Sequence, residues 1–400
     1  MSQANQSGPI RRGRLALVGT ATLCLSVLAA CGGSGNGSAG PGGEDGIPDT
    51  VQLMASVPLT GPAAFAGAEA EKGYELAMEE INETGFLGDG VTLDIDIRDT
   101  QASVQKAASD FTSAVTDPEM TAVLGSLSSG EAVAQSPIAE QKKMPVVYIQ
   151  AGSPGIVLGD YTYRFPVPMS EYYDILSQQV EEEGWKSIGI VYAPWIPTLK
   201  ELGENAIPAM AEELGMEITS TVATQQTTQD FSAPIQQVLK TNPDVVSILQ
   251  IGPANATAMK QLRQAGYDGK VLGNSSAGAD TLLPAGPAGA GMLWPVDFDH
   301  ASEDPATQEF VELYRDAHDG EDPFPYAAEA YDATWFIARA VKEADSAGRE
   351  DVVAAMKALT EEPFTGALGT ELSFEENSLK VKGVVIEWDG KEEQFLYAAQ

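Results

Sequence analysis

From about residue 50 onward, short apolar runs alternate with longer stretches in which apolar residues recur every three or four positions. Val51 to Val57 is one such run and ends in the turn residues Pro58-Leu59-Thr60-Gly61-Pro62. Glu69 to Thr84 follows, with Tyr74, Ala77, Met78 and Ile81 at the spacing of one helix face, and Gly85 stops it. Val91 to Arg98 alternates strictly, with Val91, Leu93, Ile95 and Ile97 on one side, the pattern of a half-buried strand. A helix over Val104 to Thr116, a strand over Ala122 to Gly125, a helix over Ser129 to Lys143 and a strand over Val146 to Tyr148 continue the rhythm. It resumes with strands at Ile188 to Tyr192, Glu217 to Ala223, Val245 to Leu249 and Lys270 to Gly273. Helices separate these strands at Leu199 to Leu214, interrupted by Pro208, at Ser232 to Lys240 and at Ala254 to Ala265. Helices near 305–319, 326–346 and 350–360 come next, then a strand pair over Lys382 to Trp388 and Gln394 to Ala398.

Strands alternating with helices call for parallel sheets covered on both faces. Two such blocks, about 50–165 and 170–290, make two doubly wound α/β lobes. Open sheets of this kind bind ligands at the carboxyl ends of their strands. Two lobes facing each other would therefore enclose a cleft.

The residues before this rhythm read differently. Arg11, Arg12 and Arg14 precede an apolar stretch from Leu15 to Ala30, shorter than the ~20 residues of a spanning helix. It ends in Leu28-Ala29-Ala30-Cys31, which resembles a bacterial lipobox, where the cysteine is acylated and the chain is cut before it. The alternatives are an ordinary signal peptide with a chance cysteine or a short membrane anchor. Arg11-Arg12 is a weak match to a twin-arginine export signal. Residues 1–30 are thus expected to be a leader and 31–47, rich in Gly, Ser, Asn and Pro, a flexible tether. With Cys24 in the leader and Cys31 acylated, no cysteine remains for a disulfide or a metal.

The 23 basic residues fall to 20 without those three arginines, against 58 acidic ones, a net charge of −38. Nucleic acid, which needs a basic face, is excluded as a partner. Attraction to anionic lipid is excluded too, so anchoring falls to the acyl chains, of which two hold stably. The acidity fits a saline habitat or plain solubility equally.

Four stretches resemble the branched-chain amino acid binding family, the type I periplasmic solute-binding proteins of ABC transporters. They are Pro58-Leu59-Thr60-Gly61 with Gly67, Gly73, Leu76-Ala77, Glu80-Ile81-Asn82 and Gly85; Asp99-Thr100-Gln101 with Lys106-Ala107-Ala108; Gly125-Ser126-Leu127-Ser128-Ser129-Gly130 with Ala134, Pro137-Ile138-Ala139 and Pro145; and Glu329-Ala330-Tyr331-Asp332-Ala333. Their order and spacing extend over about 48–400. The resemblance implies a type I periplasmic-binding-protein fold, two lobes joined by a three-crossing hinge. Lobe one would hold 48–166 and 297–376, and lobe two 167–296 and 377–400. The implied function is delivery of a small molecule to a transporter permease, by a monomer without cofactor anchored outside the bacterial cell membrane through Cys31.

Ser128-Ser129-Gly130 ends a strand and opens a helix, a place where exposed amides favour an anion. A serine there can equally be an N-cap. The resemblance implies that this loop binds the ligand's carboxylate, with Ser129 at the key position. Gln150-Ala151-Gly152 follows the next strand. Gly152 stands where the family has a carboxylate-holding Thr, and Gln150 where it has a small residue. Ser275 stands where amino-acid binders carry the acid that pairs with the ligand's ammonium. Glu131, the one acid near the serine loop, is expected on an exposed helix turn. These departures imply a ligand without an α-ammonium group, such as a carboxylate or amide. Phe65 and Trp195 are candidate aromatic walls on opposite lobes, and Tyr148 could narrow the cleft. Ile251-Gly252 ends another strand and could add a backbone contact. Tyr331 is a further candidate, with packing as its other role.

Catalytic patterns are missing. There is no G-x-S-x-G, H-E-x-x-H, Walker A or G-x-G-x-x-G after a strand. His300, in Asp297-Phe298-Asp299-His300, reads as part of a solvated loop, and His318 lies on a polar helix end. An enzyme is the remote alternative, and a sensor acting through a membrane receptor the nearer one.

Overall fold

The computed structural model describes residues 46–278 and 281–399. The leader, Cys31 and nearly all of the tether lie outside the described residues. The chain builds β1 (Thr50–Val57), β2 (Thr92–Asp99), β3 (Met120–Gly125), β4 (Val146–Ile149) and β5 (Thr162–Phe165) into one sheet. It then crosses to a second sheet, formed by β6 (Ser187–Tyr192), β7 (Glu217–Ala223), β8 (Val245–Leu249), β9 (Val271–Leu272) and β10 (Met292–Val296). A return crossing adds β11 (Phe364–Gly366), β12 (Gly369–Glu375) and β13 (Ser378–Lys380) to the first sheet. A third crossing adds β14 (Val384–Trp388) and β15 (Glu393–Ala398) to the second. The strand orders are β11-β12-β13-β5-β4-β3-β1-β2 and β15-β14-β10-β9-β8-β6-β7. Pairing is parallel except in the two hairpin regions, β11 to β13 and β14 to β15, and between β10 and β14. The expected third crossing at 376/377 lies too early, because β13 still pairs with β12 and β5 and the chain leaves only after Lys380.

Burial explains the elements. All six residues of β3 and all five of β8 are buried, as expected for strands covered on both faces. The edge strand β2 buries Leu93 and exposes Asp94 and Asp96, matching its alternation. Helix Ala64–Glu83 packs on helix Pro325–Ala344, and a Cβ on Gly73 would stand 2.2 Å from the Ala327 carbonyl oxygen, so only glycine permits this approach. The helix expected to break at Pro208 runs through it, from Pro197 to Glu213. A π turn over Leu202–Ala206, with the Ile207 N–H donating to the Leu202 carbonyl, accommodates the missing proline N–H. β10 was not evident in the pattern because it contains Pro295. The proline is tolerated there because β9 ends opposite Leu293 and needs no donor beyond it.

No helix among the described residues is long and apolar enough to cross a membrane.

Candidate functional site

The lobes meet at the carboxyl ends of β3, β4, β6, β8 and β9. Ser129 begins the helix Ser129–Lys142; the Glu131 and Ala132 N–H groups donate to the Ser128 carbonyl, which leaves the Ser129 and Gly130 amides at the helix start without a partner in the helix. Ser128, at the cap position, makes no side-chain cap bond. Ser129 Oγ lies 2.8 Å from Thr198 Oγ1 of the opposite lobe and accepts the Ser153 N–H at 3.2 Å. Ser129 is 4% exposed. Gly152 is pressed against the second lobe: a Cβ there would stand 3.1 Å from the Met169 nitrogen and 3.4 Å from Thr198 Cγ2. A threonine here would require the second lobe to give way by a few tenths of an ångström.

Phe65 reaches across to Gly252. A Cβ on Gly252 would lie 2.8 Å from Phe65 Cε1, and its φ of 49° already demands glycine. The Gly252 N–H donates to Ser276 Oγ, and Ile251 beside it is half-buried. Phe65 stands edge-on to Tyr326, with centroids 6.0 Å apart. The Tyr326 hydroxyl neighbours Ser275 of the other lobe. Ser275 Oγ also touches Met169 Sδ at 3.9 Å. The structure thus brings Phe65, Ser129, Gly152, Gly252 and Ser275 to one inter-lobe surface, with Ser128 and Ala151 in the loops and Gly130 in the helix turn that carry them.

Residues 50–391 match the sequence pattern of the family described as periplasmic binding protein. The chain belongs to this family. It is 25% identical over 329 residues to the leucine-, isoleucine-, valine-, threonine- and alanine-binding protein of Pseudomonas aeruginosa, covering 80% of this chain and 86% of the relative. In structure it is similar to a leucine binding protein from Thermotoga maritima, with a TM-score of 0.80, 24% identity, 88% of this chain and 99% of that one. It is also similar to an ABC transporter solute binding protein from R. palustris in complex with benzoate, with a TM-score of 0.76, 18% identity, 87% of this chain and 96% of that one. These likenesses agree with two α/β lobes of mostly parallel strands.

In this periplasmic binding protein several side chains stand elsewhere than expected. Glu131 is 1% exposed, not solvated. It accepts from Ser126 Oγ at 2.5 Å and Thr100 Oγ1 at 3.0 Å, bracing the serine loop from beneath. Burial raises its carboxyl above the usual range, against the pull of those two hydroxyls. Tyr148 is fully buried, with its hydroxyl 3.0 Å from Ser136 Oγ, and it does not narrow the cleft. Tyr331 bonds Glu80 and packs 5.0 Å from Phe310, joining two helices away from the inter-lobe surface. Trp195 is 36% exposed in the loop before Thr198. Asp297 and Asp299 are 4% and 3% exposed, so their segment is not a solvated loop. It forms the second crossing, where chain passing between lobes is covered by both.

Gln150 ends β4 with φ of 50°, a left-handed conformation costing about 1–2 kcal/mol. Its Nε2 donates to Glu329 Oε1 at 2.5 Å. Thr198, Tyr326, Met169 and Glu329 were not anticipated. Pro197-Thr198 and Pro325-Tyr326 each open a helix, and for Thr198 the position just after strand β6 was the available signal.

Proposed function

We propose that this chain is a lipid-anchored, extracytoplasmic solute-binding protein that closes its lobes on a small carboxylate-bearing or polar molecule and presents it to an ABC transporter. The observation that carries the reading is Ser129, a hydroxyl at a helix N-terminus that faces Thr198 across the lobes. A solute carboxylate entering here would meet two hydroxyls and the Ser129 and Gly130 amides at the helix start, and would contact both lobes. A ligand favours the closed state only by contacting both lobes.

The ligand class follows from charge partners. An unpaired buried charge costs several kcal/mol. Ser275 is neutral, Glu131 is engaged by two hydroxyls, and Glu329 is engaged by Gln150. We therefore expect free leucine, isoleucine and valine to bind weakly or not at all, and matched carboxylates or amides to bind better. A thermal-shift panel followed by calorimetry tests this. Ligand at 100 times its Kd adds about 2.7 kcal/mol of stability. Micromolar leucine would overturn the ligand class and direct attention to Glu393, whose Oε1 would lie 2.9 Å from a Cβ on Gly278, beyond Ser275. Turnover of a hit would favour an enzyme. A sensor remains the second reading, distinguished by whether permease and ATPase genes lie beside this one.

A further inference from the structure

The centre of the hinge holds two acids. Glu329 lies on helix Pro325–Ala344 of the first lobe, and Asp297 follows β10 in the second crossing. Tyr172, just after the first crossing, packs on Gly383 in the third, where a Cβ would stand 2.7 Å from Tyr172 Cδ1. All three crossings thus converge on this place. Glu329 is 0% exposed and Asp297 4%. Glu329 Oε1 accepts from Gln150, while Glu329 Oε2 and Asp297 Oδ2 meet no N–H or O–H donor among the described residues. The two carboxyl groups lie within hydrogen-bonding reach of each other. Among the described residues neither acid forms an ion pair with a Lys, Arg or His side chain. Two ionised carboxylates in contact and out of water are untenable, whereas one shared proton satisfies both orphan oxygens.

We propose that Glu329 is a protonated positioning residue: its O–H donates to Asp297 in the hinge while its other oxygen holds the Gln150 amide at the end of β4. One proton would then fasten the ligand loop of the first lobe to the second crossing. Burial, then Asp297, pushes Glu329 well above the carboxylate range, and burial brings Asp297 to about 6. Asp297 borders a groove of about 870 Å³ behind the hinge, a route for proton exchange with solvent.

Other groups around the pair can be separated from it. Tyr74, Tyr172 and Tyr326 face it from the first helix, the first crossing and Glu329's own helix, and burial raises all three hydroxyls further from neutrality. Arg164 and Glu171 act on Tyr172. Asp332, one turn from Glu329, accepts the Ala367 and Leu368 N–H groups. Asp299 and His300 lie just beyond Asp297, with His300 Nδ1 4.0 Å from Asp299 and Nε2 3.7 Å from Asp322.

Both acids have raised folded-state values, so the stability they contribute is full below the unfolded carboxylate range and is lost as pH rises through the folded values. The test is thermal unfolding of the purified mature chain from pH 5 to 9, with the inter-lobe distance measured between fluorescent labels on the two lobes. Wild type, Glu329→Gln, Asp297→Asn and, as a control, Asp332→Asn are compared. An amide in either acid's place donates to the remaining carboxylate at every pH. Glu329→Gln should therefore gain midpoint temperature relative to wild type as pH rises, and should keep its inter-lobe distance at pH 9 where wild type changes. Asp297→Asn should do the same, and Asp332→Asn should leave the Glu329-dependent part in place. Parallel profiles for wild type and both amide variants, or a wild-type distance indifferent to pH, would overturn the proposal. Failure of both amide variants to fold would overturn it as well, since an amide reproduces each hydrogen bond of the shared proton.

Discussion

Gly252→Ala is the substitution whose effect can be worked out most fully. Its added Cβ would lie 2.8 Å from Phe65 Cε1, whereas carbon atoms pack at about 3.5–4.0 Å. Phe65 has little room to retreat, because its ring already stands edge-on to Tyr326. Two costs follow, and they belong to different states. The backbone at φ 49°, ψ −129° is open to glycine and strained for alanine by about 1–3 kcal/mol, whether the lobes are together or apart. The clash with Phe65 exists only where the lobes meet, and overpacking of this kind costs about 1–3 kcal/mol. At 1.4 kcal/mol per tenfold, the second cost weakens ligand binding by about 5- to 150-fold. The assay is calorimetry with the tightest solute from the panel, on wild type, Gly252→Ala, Phe65→Ala and the double variant, alongside unfolding of the ligand-free proteins. Gly252→Ala should lose both stability and affinity. In the Phe65→Ala background it should lose stability alone, so the affinity effects are non-additive while the stability effects add. Equal affinity losses in both backgrounds would refute the idea that Phe65 and Gly252 meet on closure.

Gly73→Ala should destabilise the first lobe by about 3 kcal/mol or more, seen as a lower unfolding midpoint without any change specific to ligand, because its Cβ would sit 2.2 Å from a backbone oxygen that cannot move aside. Ser129→Ala should weaken binding of carboxylates more than of neutral amides in calorimetry, since it removes the hydroxyl shared with Thr198. Asp332→Asn should flatten a separate part of the pH profile. Burial raises Asp332 to about 7 despite two backbone donors, so its contribution is full below the unfolded carboxylate range and fades as pH climbs toward 7. Cells fed a labelled fatty acid should mark the wild-type protein, and Cys31→Ser should lose the mark; unmarked wild type would end the lipid-anchor reading.

What the sequence alone determined is the local part. Period-2 and period-3.6 patterns placed most strands and helices, because a covered parallel strand and an amphipathic helix each advertise their burial in consecutive residues. The serine at the start of Ser129–Lys142 was legible for the same reason, since a strand end followed by a helix start is a local event. β5 was not legible: Thr162 and Arg164 alternate with Tyr163 and Phe165 as if half-exposed, yet all four are buried, with Arg164 donating to Ser153 and Ser378. Nor was β13, whose pairing depends on partners in distant strands.

The site was decided by tertiary structure. Ser129 meets Thr198, and Gln150 meets Glu329, across 69 and 179 residues. Periodicity carries no information about such distances. Acids were the hardest to read. Among 58 acidic residues, Glu131, Asp297 and Glu329 look like any solvated carboxylate. Only the fold buries them, because only the fold supplies the hydroxyls, the amide and the second carboxyl that make burial of an acid tolerable.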